Sequence, residues 1–212
     1  MELSGRVFVN WWAKNAGLLA SEYGVGAGSL VALDVPASWR SLPLALAALG
    51  LGATLVPVEE ARSAEVLVTS SPTGEAAEAA TEVLAVTSSP LALRFDGELP
   101  PHAVDHAAEV RAQPDRLFPD PAAASAARWT LPNGAALGLQ DLLTGQAGAG
   151  ATSWMLAADG LAAAVSGVLA TGHDGAVLLL SEAGPEASVL EQERASRAVT
   201  CATAFSSRGQ DS

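Results

Sequence analysis

With 212 residues, half of them apolar but only 5% aromatic, the chain can bury a core built mostly of Ala, Val and Leu. Its formal charge of −12, from 23 acidic residues against 11 basic ones, repels phosphate backbones and argues against a nucleic-acid partner. Charged residues are only 16% of the chain, too few for a disordered acidic tail.

Helical and strand periodicities alternate almost throughout. Asn10 can cap a helix through Trp11, Leu18 and Leu19 to about Tyr23, where Gly24 stops it. A strand over Ser29–Val35 closes at Pro36, and Ser38 caps a second helix that ends at Gly50 and Gly52. Strands at Ala53–Val58 and Glu65–Thr69, a short helix over Glu75–Ala80 and a strand at Val83–Thr87 follow. One helix is expected over His102–Ala112, and 117–127 reads as a linker because prolines punctuate it. Beyond it come a strand near Arg128–Leu131, a helix around Leu139–Thr144 and a strand at Thr152–Leu156. Asp159 caps a helix to Leu169, and a strand (Ala176–Leu180), a helix (Glu186–Ser196) and a strand (Val199–Phe205) precede a polar tail. Short strands separated by helices predict an α/β fold, a mostly parallel sheet with helices on both faces. The expected division is a first α/β subdomain over 1–116, the linker, a second subdomain over 128–205 and a flexible tail over 206–212.

The lone Cys201 excludes an internal disulfide, and the amino terminus has no apolar signal core, so a cytoplasmic location is expected. The long uncharged stretch Ser41–Val58 is broken by Pro43, Gly50, Gly52 and Pro57, so no membrane segment is expected. From Glu59 to Glu109, ten carboxylates face only Arg62 and Arg94. That run is either a solvated face or a patch for a basic partner.

Several segments carry a family likeness by their order and spacing. Tyr23-Gly24-Val25, Gly28, a hydrophobic strand and Pro36 are followed by the Trp39 helix, Gly52-Ala53 and Leu55-Val56-Pro57. Glu65-Val66-Leu67-Val68-Thr69 comes next, and Val199-Thr200 follows a Glu-rich helix much later. Between them lies Trp129-Thr-Leu-Pro-Asn-Gly-Ala-Ala-Leu-Gly-Leu139. Together they resemble the amino-terminal region of the adenylate-forming (AMP-binding) family, which includes acyl-CoA synthetases, and most resemble its short relatives. The resemblance implies that Thr130, Asn133, Gly134 and Gly138 mark a phosphate loop, with ATP or AMP as its cofactor. Family loops are rich in hydroxyls and end in Pro-Lys-Gly. Here Leu137 stands at the lysine and only Thr130 keeps a hydroxyl. The family's later adenine-, metal- and ribose-binding motifs and its lid, with a catalytic lysine, have no counterpart in this sequence.

Other polar groupings are read from the residues alone. Thr69-Ser70-Ser71-Pro72 and Thr87-Ser88-Ser89-Pro90 repeat one ending on two expected strands, where parallel sheets hold ligands. Ser-Pro is also a common way to leave a strand. His102, Asp105, His106 and Glu109 at i, i+3, i+4 and i+7 would share one helical face, offering either a zinc half-site or an exposed polar stripe. Gly24-x-Gly26-x-Gly28 follows a helix rather than a strand, so it is a turn and not a dinucleotide fingerprint. Adjacent Trp11 and Trp12 cannot both face one core, which leaves one for an interface.

The expectation is a non-catalytic relative of the adenylate-forming enzymes that retains nucleotide, acyl-ligand or partner binding. One alternative is a carboxylate-activating ligase completed by a partner chain, with Asp34, Asp141 and Asp159 as the carboxylates left to hold Mg²⁺. The other is a homo-oligomeric or protein-binding module that uses Trp11, Trp12 or the acidic run.

Overall fold

The computed structural model describes residues 3–116, 120–143, 153–171, 178–181, 186–193 and 196–197. Helix α1 (Gly5–Tyr23) begins earlier than Asn10, because the Ser4 hydroxyl accepts from the Val7 N–H and nothing in Gly-Arg-Val-Phe-Val breaks the turn. It stops at Gly24, whose φ of +64° suits glycine, and the Val25 N–H returns to the Leu19 carbonyl. Strand β1 (Leu30–Asp34), helix α2 (Ser41–Gly50) and strand β2 (Thr54–Pro57) form a parallel crossover unit. A 3-10 helix, Val58–Ser63, leads to β3 (Val66–Thr69), then α3 (Glu75–Ala79) and β4 (Val83–Ala85).

The expected helix over His102–Ala112 is not continuous. Ala103–Asp105 forms strand β5 against β4, and only then does α4 (His106–Glu109) begin, with the Asp105 carboxylate accepting from Ala107 and Ala108. A 3-10 turn, Val110–Ala112, completes it. The segment read as a linker contains helix α5 (Pro121–Ala126), capped by Asp120 and opened by Pro121, whose fixed φ and missing N–H suit a first turn. Strand β6 (Arg128–Thr130) then pairs with β2, and β7 (Ala136–Gly138) folds back on it antiparallel.

The sheet order is β5-β4-β3-β1-β2-β6-β7, parallel except for β7. Directly paired residues point to the same face. Val31, Leu55, Trp129 and Leu137 therefore share one face, and Ala32, Val56, Leu67, Val83 and Ala103 share the other. The second face packs beneath Ala61 of the first 3-10 helix, Ala64 just after it and Ala77 of α3. Strand β2 lies on one side of β1 and β3 on the other, so right-handed crossovers send their connections to opposite faces. Helix α1 packs on α2. Trp11 meets Trp39 edge to face at 5.2 Å, while the Trp12 ring lies against Gly50, where a Cβ would crowd it at 3.2 Å. Neighbouring residues diverge by about 100° on a helix, so the two half-buried rings have different partners, Trp39 ahead of α2 and Gly50 at its end.

This sheet belongs to a compact unit comprising Met1–Val35 and Trp39–Leu139. The second unit, Pro36–Ser38 with Gln140–Ser212, follows from helix α6 (Leu139–Leu143). It contains β8 (Ser153–Leu156), α7 (Leu161–Thr171), β9 (Leu178–Ser181), α8 (Ala187–Glu193) and β10 (Ser196–Arg197), with a parallel order β10-β8-β9. Buried Ser166 on α7 donates to the Leu142 carbonyl at 2.8 Å, which satisfies its hydroxyl in an apolar setting. His173, the strand expected at Val199–Phe205, Cys201 and the tail lie outside the described residues. No described helix is long and apolar enough to cross a membrane.

Candidate functional site

Strands β1 and β3 are neighbours whose outgoing connections leave by opposite faces, and in open α/β sheets such carboxyl ends are where a ligand crevice forms. The Thr-Ser-Ser-Pro repeat sits there and on the next strand, β4. Buried Thr69 donates its hydroxyl to Asp34 Oδ2 at 2.6 Å and accepts from the Ser71 N–H at 2.8 Å. Buried Thr87 repeats the device, donating to Asp96 Oδ1 at 2.7 Å and accepting from the Ser89 N–H at 3.1 Å. Each threonine thus closes a turn and gives its proton to a carboxylate, so neither hydroxyl is free for a ligand. Ser70 is half-buried and its hydroxyl reaches the Asp34 carbonyl at 3.5 Å, whereas Ser71 and Ser88 are exposed at the rim. The carboxylates that complete this arrangement lie 35 and 9 residues from their threonines, and the motif itself carried no signal for them.

Beyond β4 the chain is strapped down by side chains for which the sequence suggested no such role. Arg40 stacks over Trp39 at 4.3 Å from the ring centre and donates to the Ala92 and Pro90 carbonyls at 2.6 and 3.3 Å. Trp39 Nε1 also donates to Pro90, Arg111 to the Leu93 carbonyl, and Asp105 accepts from Phe95. Burial lowers the Arg40 pKa, the neighbouring Asp105 opposes that shift, and the guanidinium stays charged.

Thr130, Asn133, Gly134 and Gly138 fall on the β6–β7 hairpin. The Gly134 N–H donates to the Leu131 carbonyl at 2.8 Å, closing a turn with Pro132 at its second position, where a fixed φ is favoured. Gly134 has φ +78°, the left-handed conformation that reverses the chain into β7. The Leu131 N–H donates to Ala135, and the Ala135 N–H to the Asn133 side chain. Leu137 pairs with Trp129 and is 0% exposed.

The four-residue polar face expected around His106 is not assembled. His102 is exposed ahead of β5, and His106 is wholly buried. Its Nε2 lies 2.7 Å from Asn15 Oδ1, while Asn15 Nδ2 donates to the Trp11 carbonyl, so the imidazole carries its proton on Nε2. Burial, with Arg40 nearby, lowers its pKa to about 4, so the ring is neutral. Among the described residues no group of three His, Cys, Asp or Glu could hold a metal ion. Asp34 is committed to Thr69, in a different unit from Asp141 and Asp159.

No protein-family model matches the chain. No curated protein matches it either. Solved structures do. An acyl-CoA synthetase from Brucella canis matches with a TM-score of 0.66 at 22% identity, over 91% of this chain and 40% of that one. The amino-terminal domain of FACL13 from Mycobacterium tuberculosis gives 0.59 at 15%, over 88% and 52%. The amide bond synthetase McbA from Marinactinospora thermotolerans gives 0.58 at 21%, over 91% and 42%. The chain thus spans about half or less of the lengths it matches. Its fold is that of the amino-terminal part of the acyl-CoA synthetases and other adenylate-forming enzymes.

Proposed function

We propose that the chain is a non-catalytic relative of the adenylate-forming enzymes, whose β6–β7 hairpin descends from a phosphate loop that no longer grips a triphosphate. One observation carries this reading. The position where the resemblance calls for lysine is Leu137, and its side chain is wholly buried, paired with Trp129 in the sheet. Phosphate is held by free N–H groups and a cation. In this hairpin the N–H groups of Leu131, Gly134 and Ala135 already have acceptors of their own. The exposed hydroxyls left at the ends of these strands are those of Ser71 and Ser88, which suit weak ligand contacts and no bond-making step. The test is ATP–pyrophosphate exchange across a panel of carboxylic acids. The rate stays at the level of the protein-free blank, and robust exchange with any acid overturns the reading.

A second reading, supported by the fold shared with an acyl-CoA synthetase and an amide bond synthetase, is a carboxylate-activating ligase completed by another chain. That reading requires the isolated chain to hold ATP. A thermal-shift titration with ATP separates the two, because a ligand specific to the native state raises the midpoint and an unbound one does not.

A further inference from the structure

The two faces of the seven-stranded sheet are covered unequally. One connection spans the 10-residue α2, against which the 19-residue α1 packs. Among the described residues, the face of Ala32, Val56, Leu67 and Val83 carries the 6-residue 3-10 helix and the 5-residue α3, which meet it through Val58 and alanines. Short elements with small side chains leave a groove between them of about 450 Å³. Val58, Ala61, Ala76 and Ala79 make its apolar lining, with Glu59, Arg62 and Glu75 among them.

We infer that this groove is a docking site for a basic amphipathic helix of another protein. The argument is shape together with charge. Glu59, Glu60, Glu75 and Glu78 are exposed around the alanine floor against Arg62 alone, and among the described residues none of these five is in an ion pair. A Lys or Arg side chain matches both features, laying its methylene stem on the alanines and its charged head among the glutamates. A helix delivers such side chains in register at i and i+4, and the groove volume falls within the range of about 300–1,000 Å³ typical of ligand sites. A second copy of this chain is the wrong occupant, since each copy carries −12. Anionic membrane surfaces are disfavoured for the same reason.

The probe is a fluorescent Lys/Leu amphipathic peptide of about 14 residues, long enough for marginal helicity, titrated into the full chain and followed by anisotropy. The double reversal Glu59→Lys with Glu75→Lys weakens binding about tenfold or more. The groove-filling Ala79→Trp, which leaves the charge unchanged, does the same. Glu98→Lys, elsewhere on the acidic run, costs less than about twofold, and raising NaCl from about 50 to about 300 mM weakens the wild-type complex. Amide shift mapping on the unmodified chain guards against misfolded variants. The shifts concentrate on Val58–Arg62 and Glu75–Ala79. Binding unchanged by Ala79→Trp in a folded variant, an equal loss from Glu98→Lys, or shifts spread over the whole acidic surface would each overturn the assignment.

Discussion

Leu137→Lys restores the cation that the family resemblance calls for, and the structure predicts a loss of stability in place of a gain of activity. Leu137 is buried on the sheet face it shares with Trp129, Leu55 and Val31. Removing the leucine forfeits about 2 kcal/mol of apolar burial. Burying an uncompensated amine there depresses its pKa and costs about 3 kcal/mol at neutral pH. The lysine stem recovers about 1 kcal/mol by packing, so the net loss is about 4 kcal/mol. The pH dependence has a definite sign. The folded-state pKa of the new amine lies below its unfolded value, so the unfolded chain binds more protons between the two, and the penalty shrinks as pH rises toward about 10. Urea unfolding at pH 7 and at alkaline pH measures both effects, with Leu137→Met as the volume-matched control at less than about 1.5 kcal/mol. If Leu137→Lys proves as stable as Leu137→Met at pH 7, the position opens to solvent and the burial argument fails.

Buried, neutral His106 makes the fold acid-sensitive. Its folded pKa of about 4 lies below the unfolded value near 6.5, so stability is full above the unfolded pKa and falls as pH drops, by about 2 kcal/mol between pH 7.5 and 5. In His106→Leu that part of the slope disappears, which urea midpoints across this range will show. Gly52→Ala costs about 3 kcal/mol, because φ is +83° and a Cβ would collide with the Ala123 carbonyl; a melting temperature within a degree of wild type contradicts this. Thr69→Val strands Asp34 and the Ser71 N–H and costs about 1–2 kcal/mol. A double-mutant cycle with Asp34→Asn gives a coupling above about 0.5 kcal/mol, and strict additivity would refute the pairing.

The elements most legible in the sequence were those with long apolar runs. Val31, Val66–Val68 and Val83–Leu84 occupy strands buried on both faces, where continuous apolar residues leave little ambiguity. Two three-residue strands, β5 and β7, were not legible, although β4 and β6 of the same length were. Ala103–Asp105 sits in a stretch that also fits a helical period, and only its pairing with β4 decides the matter. Strand β7 was hidden because Ala136-Leu137-Gly138 is too short to show an alternation. Helix α5 carried a readable signal, Asp120 followed by Pro121 and alanines, but the prolines around it favoured a linker. At the crevice the repeated Thr-Ser-Ser-Pro marked the right strand ends, yet the role of each threonine depends on aspartates supplied by tertiary folding. The strap formed by Arg40, Trp39 and Arg111 depends on contacts across 18 to 52 residues, which no local pattern encodes.

Calorimetric titration of the chain with MgATP addresses the central claim most directly, because it reads triphosphate binding without requiring turnover. A hairpin with buried Leu137 at the lysine position, and with the N–H groups of Leu131, Gly134 and Ala135 already engaged, gives no saturable heat up to about millimolar ATP. A saturable isotherm with a micromolar Kd, lost on Gly134→Pro in a folded variant, would show that the β6–β7 hairpin still holds the triphosphate.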